Sequence, residues 1–164
     1  MSKELSCFKA YDVRGELGVN FDSDICYVIG SAFAEIIDPK VVILGRDVRK
    51  SSPELYKSLS KGLMDQGVNV YDIGIAGTEE VYWATTHFKA CGGIMVTASH
   101  NPISFNGLKM VKSQSQPLDV SEFKKIKKTA EKKIFPIKKN KGLLLINVLR
   151  ANLPTLINYL HLLM

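Results

Sequence analysis

Residues 97–102 read Thr-Ala-Ser-His-Asn-Pro, and residues 106–110 read Asn-Gly-Leu-Lys-Met. They bring a hydroxyl (Ser99), an imidazole (His100), an amide (Asn101) and an ammonium (Lys109) into one short stretch. A serine hydroxyl is a weak nucleophile unless its surroundings activate it. A nearby cation would stabilise the oxygens of a phosphoryl group in transfer. The residue types alone leave two readings open, a reactive loop or a polar turn punctuated by Pro102 and Gly107.

Either reading needs elements that hold the stretch in place. Ile25, Val28, Ile29, Ala32, Phe33, Ile36 and Ile37 follow helical spacing, with Asp22 or Ser23 to start the helix and Pro39 beyond its end. Residues 41–44 form a continuous apolar run, as a strand covered on both faces does. A second helix opens at Ser51-Ser52-Pro53, where either serine could cap it, and carries Leu55, Leu59, Gly62 and Leu63 inward before stopping at Gly67. Residues 68–73 predict a strand, and Thr78-Glu79-Glu80 starts a third helix with acids at its positive end. Ile94-Met95-Val96 predicts another buried strand, leading straight into Thr97. This alternation implies an α/β layered domain with a mainly parallel sheet and crossover helices. Chemistry is then expected at the carboxyl ends of the strands, in the loops around residues 45–52, 74–80 and 97–107. Arg46, Asp47 and Arg49 read as an ion-pair set bracing such a loop. Residues 119–133 predict a helix with Val120, Phe123, Ile126, Lys127 and Ala130 inward; residues 136–142 predict an exposed linker; and residues 143–164 a leucine-rich helix broken near Pro154.

Composition narrows the class. The chain has 164 residues, 46% hydrophobic and 23% charged, which is globular and excludes a disordered or collagen-like chain. Residues 1–123 hold 12 Lys and Arg against 15 Asp and Glu, a balance of −3, whereas residues 124–164 hold 10 against one, a balance of +9. The net charge of +6 thus belongs to the tail, and the chain is not a uniformly basic nucleic-acid binder. Lysine pairs 124–125, 127–128, 132–133 and 138–139 read as a solvated face, the alternative being a module that docks its basic tail on an acidic partner. Cys7, Cys26 and Cys91 show no metal-ligand spacing and suit plain thiols in a reducing compartment. No signal peptide or uninterrupted apolar span is visible, so the expectation is a cytoplasmic, soluble protein without membrane or nucleic-acid partners.

Four ordered motifs resolve the choice left open at Ser99. They are Phe8-Lys-Ala-Tyr-Asp-Val-Arg-Gly15, Gly45-Arg-Asp-Val-Arg49 with Ser51-Ser52-Pro53, residues 77–102 ending in Thr-Ala-Ser-His-Asn-Pro, and Asn106-Gly-Leu-Lys109. Over roughly residues 7–120 the chain resembles the phosphohexomutases, the phosphomannomutase and phosphoglucomutase enzymes, and most of all the bacterial phosphomannomutases of GDP-mannose synthesis. The resemblance implies that Ser99 is the catalytic phosphoserine. It would pass its phosphoryl group to a hexose 1- or 6-phosphate and recover the other phosphate from the bisphosphorylated sugar. It also implies that an oxygen of that phosphate is one ligand of Mg²⁺, that Lys109 handles charge and a proton at the sugar hydroxyl, and that Arg14 serves the same site. Tyr11, His100 and Asn101 would line it and shape the substrate's surroundings. Guanidinium suits phosphate through paired donors.

Members of the resembled family are far longer and have four domains. The metal-binding Asp-Gly-Asp-x-Asp-Arg loop, the sugar-binding loop and the carboxyl-terminal phosphate loop have no counterpart in this sequence. The expectation is therefore a first domain at residues 1–133, followed by a linker and a truncated or aberrant segment at 134–164. Alone it would be inactive, or it would be half an enzyme completed by another chain. Its uncovered face and leucine-rich tail would favour self-association.

Overall fold

The computed structural model describes residues 4–146, so the tail expected as a broken helix lies almost wholly outside the described residues. In chain order the elements are β1 (Val13–Glu16), α1 (Ser23–Ile37), β2 (Val41–Arg46), α2 (Ser52–Asp65), β3 (Asn69–Ile75) and α3 (Thr78–His87). They continue with β4 (Gly92–Val96), β5 (Phe105–Lys112), α4 (Val120–Ala130) and β6 (Leu144–Leu145). The sheet order is β1-β5-β4-β2-β3-β6. β4, β2, β3 and β6 run parallel, while β5 runs against β4 and β1 against β5. The expected mainly parallel α/β layering is what folds.

Sequence dictates the element ends. Asp22 caps α1 by accepting from the Ile25 N–H at 2.8 Å, leaving one less orphan donor in the first turn. Gly67, at φ +82°, takes the left-handed turn that leads from α2 into β3. The Glu80 carboxylate accepts from the Gly77 N–H at the start of α3, so the first-turn acid does serve the helix. The serine cap on α2 does not form: Ser51 makes no side-chain cap bond. Its Oγ instead accepts from Asn106 Nδ2 at 2.8 Å, and Ser52 Oγ donates to Asp47 at 2.5 Å. The two serines are spent on joining the start of α2 to the loops at the sheet's edge.

Packing divides the core by face. Val42, Leu44, Ile94, Val96 and Leu108 join Ile29, Phe33, Leu55, Leu59 and Leu63 in the larger cluster under α1 and α2, with Phe123, Ile126 and Ala130 of α4 closing one side. Each of the large side chains contributes roughly 1.5–3 kcal/mol on burial. On the opposite face Ile43, Ile73 and Met95 pack beneath Val81 and Ala84 of α3. Two members of the expected inner stripe of α4 do not point in. Val120 is exposed, and Lys127 reaches over the surface to Glu4 at 2.7 Å, because the helix meets α1 through its Phe123–Ile126–Ala130 side alone.

Apart from Phe135, which packs against the larger core, the stretch after α4 is mostly exposed in its side chains but not free in its backbone. Lys138 N–H donates to the Asp65 carbonyl and Gly142 N–H to that of Met64, both at 2.9 Å, and Val70 N–H donates to Leu143. Leu144 and Leu145 then add a parallel strand to β3. They are a strand rather than the start of the expected helix because the open edge of β3 offers backbone partners at that point. The Asp65 side chain, 2% exposed, anchors the arrangement. Lys61 lies 2.6 Å from it and Lys141 2.7 Å, and the Tyr27 hydroxyl donates to it at 2.9 Å. Burial would raise this carboxyl, but the hydrogen bonds from Lys141, Lys61 and Tyr27 outweigh it and hold the group down at about 2. A carboxyl lowered on folding stabilises above its unfolded value and stops doing so as the pH falls through its folded one. The chain should therefore lose about 2 kcal/mol between pH 4 and pH 2 through Asp65 alone. Urea unfolding of wild type and Asp65→Asn at both pH values checks this: the variant should lack that part of the loss.

Candidate functional site

The site is built where β2 and β4 end side by side. Asp47 N–H donates to the Val96 carbonyl at 3.0 Å, fastening the loop after β2 to the end of β4. The next residue after Val96 is Thr97, whose N–H reaches the Gly107 carbonyl on β5 at 2.9 Å. Residues 97–104 are thus the connection of an antiparallel β4–β5 pair, and Ser99 lies on its outer bend. Ser99 is exposed and has φ of +53°, a left-handed conformation that costs an L-residue free energy and persists only when its surroundings impose it. Its Oγ is 3.1 Å from His100 Nδ1. Asn101 folds back on the loop, its Nδ2 donating to the Ala98 carbonyl at 2.8 Å.

Arg14 and Lys109 arrive from the neighbouring strands. Arg14 pairs with Gly107, and Lys109 pairs with Met95. Residues opposite one another, and those two apart along a strand, share a sheet face. Arg14 and Lys109 therefore stand on the same face as Met95, the face that α3 covers. α3 packs over β2 and β4, so the β5–β1 portion of that face, where Gly107 lies between the two cations, extends past the helix. Arg14 is held by Asp12 at 2.6 Å. Tyr11 precedes β1 and stands in solvent, 88% exposed. The site residues expected from sequence thus fall on two neighbouring places, Ser99, His100 and Asn101 on the loop and Tyr11, Arg14 and Lys109 on or beside the β1–β5 ribbon.

The ion pair expected from Arg46, Asp47 and Arg49 is made by Asp47 and Arg49, 3.2 Å apart; Arg46, the last residue of β2, takes no part in it. Asp47 Oδ1 accepts from Ser52 Oγ and from the Arg49 N–H, and Oδ2 accepts from Thr97 Oγ1. That answers whether the residues present suit Mg²⁺. A hard divalent ion wants several free oxygen ligands, and both Asp47 oxygens are already engaged. Among the described residues no group of three His, Cys, Asp or Glu could hold a metal ion. The donor set here does not fit such a site by itself. The thiols offer nothing either: Cys7 and Cys26 are buried, and burial pushes Cys7 up to about 11.

A layered α/β/α domain that presents an exposed, left-handed serine at the carboxyl edge of its sheet, beside a two-cation ribbon, defines a class. Residues 6–136 match the phosphoglucomutase/phosphomannomutase alpha/beta/alpha domain I, and the chain belongs to that family as its amino-terminal domain. It is 48% identical over 134 residues to a phosphomannomutase of Klebsiella pneumoniae, covering 81% of this chain and 85% of that one. It is 48% identical over 135 residues to the phosphomannomutase of Escherichia coli K12, where the match covers 82% of this chain but 30% of the relative. A crystal structure of a phosphoglucomutase/phosphomannomutase family protein from Burkholderia thailandensis superposes with a TM-score of 0.79 at 30% identity, covering 92% of this chain and 34% of that one. The chain thus spans about a third of the length of such full-size relatives. No helix among the described residues is long and apolar enough to cross a membrane.

Proposed function

We propose that this chain is the phosphoserine-bearing domain of a cytoplasmic phosphomannomutase-type isomerase, acting on mannose or glucose 1- and 6-phosphates. The observation that carries the reading is Ser99 itself: its hydroxyl is exposed on a tied-down loop, next to an imidazole nitrogen. In the forward half-reaction the bond between Ser99 Oγ and phosphorus breaks as a sugar hydroxyl oxygen bonds to that phosphorus, and the proton of that hydroxyl ends on the departing Ser99 Oγ. Lys109 and Arg14 would meet the phosphoryl oxygens from the open β5–β1 face. A phosphate on Ser99 would offer one oxygen to a Mg²⁺ ion, and among the described residues this chain supplies no set of carboxylates to complete such a site. The chain matches 30% of the length of its Escherichia coli relative, so we assign it the serine half-reaction and no sustained mutase turnover of its own.

The test is to incubate the purified chain with glucose 1,6-bisphosphate and map phosphate by mass spectrometry, alongside a mutase assay with mannose 1-phosphate. The expected outcome is slow labelling confined to Ser99, with no continuing isomerisation. A chain that stays unlabelled, or is labelled elsewhere, overturns the assignment of Ser99. Steady turnover overturns the assignment of a half-reaction only.

A further inference from the structure

Arg49 presents five N–H donors, and four of them are hydrogen-bonded to the serine loop. Nη1 donates to the carbonyls of Pro102 at 2.8 Å and Phe105 at 3.1 Å. Nη2 donates to those of Ser99 at 2.9 Å and Asn101 at 2.7 Å. Nε faces Asp47. Both terminal nitrogens are spent on the loop and Nε is turned to Asp47, so this arginine has no paired fork with which to grip a phosphate, although it lies under the serine loop and is 11% exposed. The other side of Ser99 is tied to the same pair. Its N–H donates to Thr97 Oγ1 at 2.9 Å, and that hydroxyl donates to Asp47 at 2.8 Å. A closed circuit results, running from the Ser99 amide through Thr97 to Asp47, across to Arg49 and back to the Ser99 carbonyl. It grips the peptide groups on both sides of the one loop residue whose left-handed backbone has to be imposed.

We propose that Arg49 is a positioning residue for phosphoryl transfer at Ser99. Working with Asp47 and Thr97, it fixes the loop conformation that aims the hydroxyl, and it does so without touching substrate. The inference rests on the proposed phosphoserine role and adds to it which residues set the geometry. A lysine in its place keeps the charge, but its three donors on a single atom cannot span four carbonyls and a carboxylate. Misplacement of a nucleophile by small distances lowers the rate of the chemical step more than it weakens binding of the donor.

The experiment follows labelling of Ser99 as glucose 1,6-bisphosphate is raised, in wild type, Arg49→Lys and Thr97→Val, with hydrogen–deuterium exchange of the loop amides in parallel. In Arg49→Lys the limiting rate should fall by about tenfold or more, while the half-saturating concentration stays within about twofold. Amides of residues 99–105 should exchange faster, with those of β2 and β4 unchanged. Thr97→Val, which cuts only the amide side of the circuit, should show the same pattern more weakly and serves if the lysine variant does not fold. A raised half-saturating concentration at an unchanged limiting rate would make Arg49 a phosphate clamp and overturn the proposal, as would unaltered labelling. If the wild-type chain itself accepts no phosphoryl group, the phosphoserine role falls and the positioning role with it. A labelled wild type beside an indifferent Arg49→Lys sinks the positioning role alone.

Discussion

Ser99→Ala should abolish phosphoryl uptake while leaving the chain as stable as wild type, and Ser99→Gly should abolish it in a chain that is more stable. The hydroxyl is exposed and its one side-chain contact is His100 Nδ1, so its loss opens no cavity and strands no buried group. Alanine meets the same left-handed strain as serine at φ +53°, and its stability should change by no more than about 0.5 kcal/mol. Glycine carries no Cβ and escapes the strain, which should raise stability by about 1 kcal/mol despite the entropy it adds to the unfolded chain. Chemical denaturation reads the stability and intact-mass analysis reads the label. If Ser99→Gly proves less stable than wild type, the loop conformation costs nothing; if Ser99→Ala still takes up label, the chemistry belongs to another residue.

The second large effect concerns the seam between α1 and α2. A Cβ built on Gly62 would lie 2.2 Å from the Tyr27 carbonyl oxygen, and one on Gly30 would lie 2.6 Å from that of Leu59. The two helices pass so close that each lays a glycine on the backbone of the other, and Ser31 Oγ, 3.0 Å from the Tyr27 carbonyl on its own helix, also reaches across the gap to the Gly62 carbonyl at 3.3 Å. No side-chain rotation relieves a clash with main chain, so Gly62→Ala must push the helices apart. The separation loosens Ile29 and Phe33 against Leu59 and Leu63 and strips the bond from Ser31 to Gly62. The expected cost is about 3 kcal/mol, the upper range for overpacking, and Gly62→Val should prevent folding. Thermal unfolding decides it: a midpoint lowered by less than a couple of degrees for Gly62→Ala would mean that the seam yields. Gly30→Ala should cost less, since its built Cβ clears the backbone by more.

Much of this architecture was legible in residue order. The apolar runs at 41–44 and 94–96 and the helical stripes from Ile25 and Leu55 identify β2, β4, α1 and α2, because these elements are buried and their periods are undiluted. β5 and β1 were harder to read. Leu108 and Met110 do alternate toward the larger core, but Gly107 and Lys109 beside them, and Arg14 and Glu16 on β1, belong to the part of the opposite face that extends past α3, so half the strand signal is missing. The two leucines of β6 became a strand only because an open edge lay beside them, a tertiary fact with no local trace.

Legibility differed in the same way at the site. Ser99, His100 and Lys109 stand out by chemistry, and the motif order carried them to the family. The Asp47–Arg49 bracing was readable as an ion pair, but not its target, since the four carbonyls it holds are nameless in a sequence. The serines at 51 and 52 looked like helix caps because local rules favour that use, and a buried asparagine and an aspartate brought near in space claimed them instead.

Because β5 turns back along β4, Ser99 sits on the bend of a hairpin whose outer leg carries Lys109, with Arg14 on the strand stitched to that leg. Any swing of this domain against others in a longer mutase must carry all three as one rigid body. Under the proposed function, a sugar phosphate would then meet the same fixed cluster in both half-reactions.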